Sequence, residues 1–492
     1  MNRRTIGTAA AVALVSAGLL AQAPAQAPGP APSTKGVVVK GRAPVSTEVL
    51  HVKLPRPQEA DLANGLHLMV IEDHRAPQIA MQIILAGAGG YYDPEGLPGV
   101  AGATAAMMTE GTATRSAQQI AQEQETMAAA VSIAGGGSSE TATVMIGSLA
   151  DTFDRALALA TDILFNPSFP EQELGRLKTR QRASLVQART APSLLARERF
   201  ASVIYGDPPA GRVIASPESI DKISRDALVE FHRTRYIPDG AIVGIVGDIT
   251  MAEARKKVEA ALGGWKPAGS TPGPVTDPPP LGGPKVYLVD RPNSVQTSLA
   301  IGTQAINRVD PDYDVVSLLN GVIGGGPTGR LFLNLREDKG WTYGAYGSLS
   351  APRYRGDWSA STEIRGDVTE AAVGEVLAEI ERLRSEPVPS QELMDKKRSL
   401  VAGFALSLES PSAVLSNYIT SRRYGLPADY WDKYPERVLA VSAAQLQAAA
   451  KKYLAPERIQ IVAVGDEKKI GEGLRKFGTV EVYDTEGRPR GR

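Results

Sequence analysis

Runs of nearly continuous apolar residues mark several strands. Residues 67–72, 79–86 and 241–246 have this pattern, which is typical of strands that are buried on both faces. Residues 132–147 alternate apolar and polar positions around a glycine cluster, which predicts a hairpin. The strands are therefore distributed over the chain rather than gathered in one block.

Helical spacing fills the intervals between these strands. Apolar residues recur three and four positions apart over residues 151–164, which predicts an amphipathic helix, and residues 171–205 form a long charged helical pattern. Strands and helices in such blocks indicate the α+β class, with sheets layered against helices.

Two parts of the chain look like distant copies of one another. Residues 68–73 resemble 286–290, and residues 236–248 resemble 453–466, at a nearly constant spacing of 217 or 218 residues. A constant spacing over that distance favours a gene duplication. We therefore expect two homologous lobes, each with a mixed or antiparallel sheet layered with helices, joined by a linker rich in proline and glycine.

Length, charge and cysteine content exclude several classes of protein. The chain has 492 residues, 43% of them hydrophobic, so two large cores are possible. It balances 54 basic against 54 acidic residues, which argues against a nucleic-acid partner. Because there is no cysteine, disulfides, thiolate metal sites and cysteine nucleophiles are impossible.

The N-terminus predicts export. Arg3 and Arg4 precede an apolar run, residues 9–20, that is too short to span a bilayer, and small residues follow it. We expect a cleaved signal peptide, a periplasmic location and no integral membrane segment in the mature chain. The predicted organisation is a signal peptide (1–27), a flexible leader (28–47), an N-terminal lobe (48–263), a Pro/Gly linker (264–284), a C-terminal lobe (285–478) and a tail (479–492).

Residues 87–112 resemble the active-site segment of the insulinase/pitrilysin-type (inverzincin) zinc peptidases. In that family a helix carries HxxEH, whose two histidines bind zinc while the glutamate polarises the attacking water. Aligned on this motif, the three positions are Gly102, Ala105 and Ala106, and the third zinc ligand, a glutamate, falls near Ser184. The resemblance thus implies an N-terminal lobe with a degenerate metal site and no zinc, or other cofactor, of its own.

Residues 324–344 are similar to the family's C-terminal motif, whose arginine and tyrosine form a substrate-binding pair. Here they are Arg336 and Tyr343. The resemblance implies that the arginine donates to peptide carbonyls and that the tyrosine hydroxyl stabilises an oxyanion. Considered singly, Arg336 also fits a solvated helix position and Tyr343 a half-buried strand position. Arg330, in the same motif, is expected to be structural.

Four histidines are present, His51, His67, His74 and His232, and their spacing favours structural or solvent-exposed positions over a metal site. Residues 138–144 correspond to a strand that, in relatives, presents an edge to the peptide. An ordinary edge strand is an equally good interpretation.

Together these features predict a zinc-less subunit of a heteromeric peptidase, inactive by itself. An HxxEH-bearing paralogous chain would be its partner and would hold the zinc, and unfolded peptides would be the substrate. Alternatives are a stand-alone periplasmic peptide-binding protein, a purely architectural subunit such as zinc-less members of this family form, and, more weakly, independent hydrolysis.

Overall fold

A computed structural model describes residues 52–206, 209–213, 215–269 and 272–490 of the chain. Within them lie two six-stranded sheets. The first has the order β1-β2-β6-β3-β5-β4 and the second the order β12-β7-β11-β8-β10-β9. The strands of the first are β1 (Gln58–Asp61), β2 (His67–Glu72), β3 (Gln78–Ala86), β4 (Ala130–Ala134), β5 (Thr141–Leu149) and β6 (Ile242–Gly247). Those of the second are β7 (Lys285–Asp290), β8 (Gln296–Gln304), β9 (Thr342–Ser350), β10 (Asp357–Arg365), β11 (Gln460–Gly465) and β12 (Thr479–Tyr483).

Helices accompany both sheets. Those of the first half are α1 (Val100–Met108), α2 (Ala117–Met127), α3 (Phe153–Phe165), α4 (Glu171–Ala188), α5 (Pro192–Tyr205), α6 (Pro217–Lys222), α7 (Arg225–Arg235) and α8 (Met251–Leu262). Those of the second are α9 (Tyr313–Gly324), α10 (Arg330–Phe332), α11 (Thr369–Ser385), α12 (Ser390–Ser407), α13 (Pro411–Tyr424), α14 (Tyr434–Ala440), α15 (Ala443–Tyr453) and α16 (Glu467–Leu474). A π-helical turn, Leu333–Asp338, continues α10.

The two lobes repeat one topology. Strands β7, β8 and β11 each begin 218 residues after β2, β3 and β6, at positions 285, 296 and 460 against 67, 78 and 242. In the first sheet β6 lies between β2, to which it is parallel, and β3, to which it is antiparallel. In the second sheet β11 lies in the same way between β7 and β8. The predicted α+β class with two homologous lobes is confirmed, and the sheets differ at one edge, where β1 is antiparallel to β2 but β12 is parallel to β7.

One helix of each lobe packs against the sheet of the other lobe. Helix α13 packs on the first sheet, where Leu415 and Ile419 meet Met69 and Ile71 of β2. Helix α5 packs on the second sheet, where Leu195 and Phe200 are among the buried contacts. The inner strands are thus covered on both faces, one by their own lobe's helices and one by the exchanged helix. This is why their sequences are continuously apolar rather than alternating.

Three expectations need correction. The helical pattern over 171–205 is two helices, α4 and α5, because Pro192 lacks a backbone N–H and begins a new helix instead of continuing the old one. Residues 141–144 belong to β5, which pairs with both β3 and β4, so they are not an edge. The segment expected as a tail begins with β12, which adds a strand to the second sheet.

Two further expectations concern the Pro/Gly linker and membrane-spanning helices. Where the structure describes residues 264–284, they form neither helix nor strand. Among the described residues no single helix is long and apolar enough to cross a membrane, and α12 with α13 passes that test only as a pair bent by 109°. The predicted signal peptide and leader lie outside the described residues.

Candidate functional site

Helix α1 carries the three positions at which the resemblance expects HxxEH. Asp93 fixes the start of this helix, because its carboxylate accepts hydrogen bonds from the backbone N–H groups of Gly99 (2.6 Å) and Ala101 (2.9 Å). Arg212 donates to the same carboxylate at 2.9 Å. Burial raises the pKa of Asp93 despite these donors. The helix is therefore held in place by a buried, fully engaged carboxylate.

None of the four degenerate positions provides an imidazole or a carboxylate. Ala105 is buried in α1, Gly102 and Ala106 are half-buried, and Ser184 is exposed on α4 with only a hydroxyl to offer. Throughout the described ranges no group of three or more His, Asp or Glu side chains could hold a metal ion. The residues at these positions do not fit a zinc ion, whose ligands in such sites are nitrogen and carboxylate oxygen.

The β4–β5 turn has closed onto the first of these positions. A Cβ atom on Gly102 would lie 3.3 Å from the Cα of Gly136, and one on Gly136 would lie 3.2 Å from the Cα of Gly102. Both distances are shorter than ordinary van der Waals contacts, and the opposing atoms are backbone. A side chain at position 102 would therefore press on the backbone of the β4–β5 turn, which would have to give by a few tenths of an ångström.

The histidines whose surroundings the structure describes have local polar partners. His67 lies between Asp61 (Nδ1 to Oδ1, 2.6 Å) and Glu59 (Nε2 to Oε2, 2.9 Å). His74 is bonded to Asp248 at 2.7 Å, and this bond raises its pKa. His232 bonds the carbonyl of Leu164 at 2.8 Å, and burial lowers its pKa. His51 lies outside the described residues.

Arg336 and Tyr343 are brought together at the surface of the second lobe. Arg336 lies on the π-helical turn after α10 and Tyr343 near the start of β9, and the guanidinium carbon is 5.7 Å from the centre of the tyrosine ring. Tyr343 is 85% exposed. Within the described part of the chain neither side chain makes an ion pair or hydrogen bond, so both are available to another molecule.

A β-bulge sets the position of Tyr343. The pairing of β9 with β10 slips between Thr362 and Ile364, where two residues of β9, Tyr343 and Gly344, lie opposite the single residue Glu363 of β10, so β9 carries the extra residue. The hydroxyl of Thr342 fixes the distortion through bonds to the carbonyls of Gly344 (2.9 Å) and Glu363 (2.6 Å). Tyr343 therefore projects from an anchored irregularity rather than from a regular strand.

Arg330, six residues before Arg336, is engaged within the protein. Its side chain is 11% exposed and forms a two-point ion pair with Glu392, at 2.8 and 2.9 Å. It ties α10 to α12 and so supports the turn that carries Arg336, as expected for a structural residue.

Tyr343 lines a cleft of about 930 Å³ between the start of α5 and strands β8, β9 and β10 of the second sheet, and Arg336 lies over the ring of Tyr343 without being part of the cleft wall. Tyr343 and Tyr346 form part of its wall, and hydroxyl side chains line much of the rest, namely Ser193, Ser298, Ser348, Ser359, Ser361, Thr342 and Thr362. Two charged residues, Arg197 and Glu363, are also in the wall. Hydroxyls and a pair of aromatic rings suit contact with a peptide, because they offer hydrogen bonds without demanding one charge.

Two family models match successive parts of the chain. The model of insulinase (peptidase family M16) matches residues 68–218, and the model described as the peptidase M16 inactive domain matches residues 222–400. The chain belongs to the insulinase family. With no imidazole or carboxylate at the HxxEH positions, it is an inactive homologue within that family.

Curated relatives of this insulinase-family chain include a protein described as a zinc protease and one described as a non-peptidase homolog. An uncharacterized zinc protease of Rickettsia bellii is 24% identical over 402 residues, which are 80% of this chain and 93% of the relative. The non-peptidase homolog YmxG of Helicobacter pylori is 22% identical over 400 residues, which are 81% of this chain and 91% of the relative.

Solved structures agree on the insulinase-family fold. The peptidase M16 inactive domain from Pseudomonas fluorescens has a TM-score of 0.76 at 27% identity, covering 83% of this chain and 98% of that one. A protease from Helicobacter pylori has a TM-score of 0.77 at 18% identity, covering 84% and 100%. The second likeness concerns the fold alone.

Some parts of the site escaped sequence reasoning. Asp93 gave no signal because one aspartate before a proline is common in turns, and its role depends on α1 folding back onto it. Glu363 and Tyr346 line the cleft by regular alternation with Ser361 and Ser348, and the extra residue in β9 brings Tyr343 to the same face. The serine and threonine residues that alternate along β9 and β10 could have predicted that hydroxyl groups line one face of these strands.

Proposed function

We propose that this chain is the non-catalytic subunit of a two-chain insulinase-type peptidase, in which it supplies Arg336 and Tyr343 to the active site of an HxxEH-bearing paralogue. The observation that carries the proposal is the pairing of these two exposed side chains, 5.7 Å apart and without other side-chain partners in the described residues. An isolated subunit gains little stability from such a pair. The pair does suit the recognition of something outside the chain.

The chemistry assigned to each side chain follows from its donor atoms. The guanidinium of Arg336 is a planar, permanently charged donor and would hold the carbonyl oxygens of a bound peptide. The hydroxyl of Tyr343 would donate to the oxygen that becomes negative when water attacks the peptide bond. Zinc and the residues that hold it would belong to the partner, since this chain has no ligand set at its own degenerate site.

An unfolded peptide is the substrate that the cleft favours. The hydroxyl wall can hydrogen-bond a peptide main chain, and Tyr343 and Tyr346 add apolar area with little loss of side-chain entropy. We further propose that the mature chain acts in the periplasm, on the basis of the basic start at Arg3 and Arg4 and the short apolar run that follows.

The test is to purify the chain and an HxxEH-bearing paralogue encoded beside it, and to measure peptide hydrolysis by each alone and by the mixture. We expect hydrolysis only in the mixture, and loss on chelation of zinc. Tyr343→Phe keeps the ring beside Arg336 and removes the hydroxyl, so kcat should fall about 100-fold or more. Arg336→Ala should raise KM as well, because a substrate contact is lost.

The matched control is Arg398→Ala on α12, an arginine that, unlike Arg336, does not lie over the ring of Tyr343 and should leave kcat unchanged. Full activity of the paralogue alone would contradict the proposal. Normal activity of the mixture with Arg336→Ala and Tyr343→Phe combined would instead support an architectural role. Peptide capture by this chain with no partner present and no hydrolysis in any mixture would support a stand-alone binding protein.

A further inference from the structure

A second cavity, of about 390 Å³, lies away from the Arg336–Tyr343 cleft. Its walls come from the strand ends of the first sheet, from residues 272–275 of the linker, and from the second lobe at Arg353 and at the last turn of α13. No residue of this wall is part of the larger cleft. The cavity therefore needs a separate explanation.

The duplication provides an internal comparison, because the corresponding place in the second lobe is filled. There Tyr205, at the end of α5, donates a hydrogen bond to Asp357. Gln304 fills the space beside them, and its amide donates to the carbonyls of Ile204 (2.8 Å) and Pro279 (2.7 Å). In the second lobe these polar groups are therefore bonded to one another, to α5 and to the linker.

In the first lobe the corresponding residues are smaller or charged. Ala86 pairs with Thr141 just as Gln304 pairs with Asp357, so an alanine and a threonine stand where the other lobe has a glutamine and an aspartate. At the end of the exchanged helix, Arg423 precedes Tyr424 as Ile204 precedes Tyr205. The first lobe has thus lost the side chains that fill the space and gained a cation.

The charged groups around the cavity are unequally satisfied. Arg353 is fully engaged, because it pairs with Glu140 at 3.1 Å, donates to the carbonyl of Arg423 and lies over the ring of Tyr424. Arg422 has only a 3.8 Å ion pair with Asp61, whose same oxygen already takes the bond from His67. 

Arg423 is the clearest case of an unsatisfied charge. Its guanidinium has no hydrogen bond or ion pair among the described residues and only the ring of Tyr424 near it, at 5.5 Å. Two adjacent guanidiniums at one cavity wall can accept a carboxylate, which guanidinium geometry matches well.

We propose that this cavity binds a ligand that carries a carboxylate beside an N–H donor, either a free amino acid or the C-terminal residue of a short peptide. Arg422 and Arg423 take the ligand's carboxylate, and the carboxylate of Asp61 accepts from its N–H group. Ile84, Ile242 and the linker prolines give the ligand's side chain an apolar wall. The volume is near the lower end for small-molecule sites, about 300–1,000 Å³, which suits a ligand of this size.

The mixed charge of the wall distinguishes this ligand from a plain anion. A phosphate dianion would bring two negative charges and no ammonium or amide N–H group toward Asp61 and Glu140, so it would be repelled where such an N–H group is attracted. Binding here would also link the linker to both lobes, since all three contribute to the wall.

The test is calorimetric titration of the isolated mature chain, without any partner, so that its outcome does not depend on the proposed peptidase role. The probes are N-acetyl-Ala-Leu with a free carboxylate, the same dipeptide as its amide, free leucine, and inorganic phosphate. We expect the acid to bind with Kd on the order of 1 mM or tighter, and the amide and phosphate about tenfold more weakly or not at all. The stronger binder of the dipeptide and leucine identifies the natural source.

Two variants locate the site. Arg422→Gln with Arg423→Gln should weaken the acid about tenfold or more, whereas Lys451→Gln with Lys452→Gln, which removes two adjacent cations from the last turn of α15, should not. Thr141→Asp places at this position the carboxylate that the second lobe has, keeps both arginines, and should also weaken binding. Equal affinity for acid and amide, unchanged affinity in both site variants, or no binding of any probe at about 10 mM would overturn the proposal.

Discussion

At position 102 a metal ligand is missing, and any side chain there would meet the backbone of the β4–β5 turn. The opposing atom is the Cα of Gly136, which cannot move without moving the β4–β5 turn. A side chain introduced there must therefore push backbone apart, and such overpacking costs about 1–3 kcal/mol. Restoring the HxxEH residues by substitution would not restore the pocket that they occupied.

Gly102→His should lower the free energy of unfolding by about 1–3 kcal/mol, as measured by chemical denaturation. The control is Gly175→His on the exposed face of α4, where a Cβ meets nothing within 4 Å. Replacing a helical glycine there should be neutral or slightly stabilising. Equal stability of Gly102→His and the parent protein would show that the turn gives way freely, contrary to the packing described above.

Asp357 makes a pH-dependent contribution to the free energy of unfolding. Burial raises its pKa to about 6, although Tyr205 donates a hydrogen bond to it. The folded state then holds a proton that the unfolded chain loses near pH 4. This group accordingly favours the folded state at low pH, and its contribution declines as pH rises from about 4 to 6. Other carboxyl groups with lowered pKa values act in the opposite direction, so the effect must be isolated by substitution.

Asp357→Asn should remove that decline. The amide keeps an acceptor for Tyr205 and carries no charge, so the variant should gain on the order of 2 kcal/mol relative to the parent protein between pH 4.5 and pH 7.5. The measurement is the free energy of unfolding of both proteins at each pH. A stability difference between the two that does not change with pH would contradict the assignment.

At the scale of elements, the exchange of α5 and α13 depends on two glycines in the sheets that receive them. A Cβ on Gly302 would be 2.2 Å from the carbonyl oxygen of Trp358 and 2.9 Å from the ring of Phe200. A Cβ on Gly244 would be 2.8 Å from the Cδ1 of Ile419, which is the end of a flexible side chain. At Gly302 the nearest obstacle is thus the backbone of the neighbouring strand β10, with the Phe200 side chain of α5 behind it, whereas at Gly244 the obstacles are flexible side chains of α13.

We expect Gly302→Ala to cost about 3 kcal/mol or more, because backbone must move, and Gly244→Ala to cost about 1 kcal/mol, because Ile419 can change its rotamer. Denaturation of the two variants under the same conditions gives the comparison. The reverse order of stabilities would mean that the backbone of β10 gives way more easily than the side chain of Ile419.

Sequence patterns predicted the elements better than their partners. The strand at His67–Glu72 agrees residue for residue, because a continuous apolar run has few alternatives. The same run could not reveal that α13, more than 300 residues later, covers its second face, since periodicity identifies an apolar face but not what packs on it. The predicted strand edge at 138–144 was wrong because β5 lies between β3 and β4, and the order of strands in a sheet is a tertiary feature that the local pattern does not determine.

For the site, too, the sequence predicted which residues are present but not how the fold brings them together. The absence of zinc-binding side chains at Gly102, Ala105 and Ala106 follows from the residues themselves. The closure of Gly136 over position 102 and the 5.7 Å approach of Arg336 to Tyr343 are tertiary facts, which depend on a glycine turn and a β-bulge. The roles of Arg336 and Tyr343 stay predictions until the partner is tested.

At the scale of the whole molecule, noncovalent ties join the lobes in several places. The exchanged helices bury apolar side chains in both directions. Tyr354 of the second lobe stacks on Tyr91 of the first, with ring centres 5.5 Å apart, and meets Tyr205 edge to face. The linker is bonded back to the first lobe, since the hydroxyl of Tyr92 donates to the carbonyl of Gly273 at 3.1 Å. The linker is therefore not what holds the lobes together.

Cutting the linker should leave the two lobes associated. Gly282 and Gly283 are exposed and a Cβ on either meets nothing within 4 Å, so a protease site inserted between them should be accepted and cleaved without disturbing the fold. After cleavage we expect both fragments to elute together in size-exclusion chromatography. Leu195→Asp with Leu415→Asp buries a charge in each exchanged helix contact and should make the cleaved fragments separate. Separation of the cleaved parent protein would instead show that the covalent linker, and not the exchange of α5 and α13, maintains the position of the second lobe and of the Arg336–Tyr343 pair that it carries.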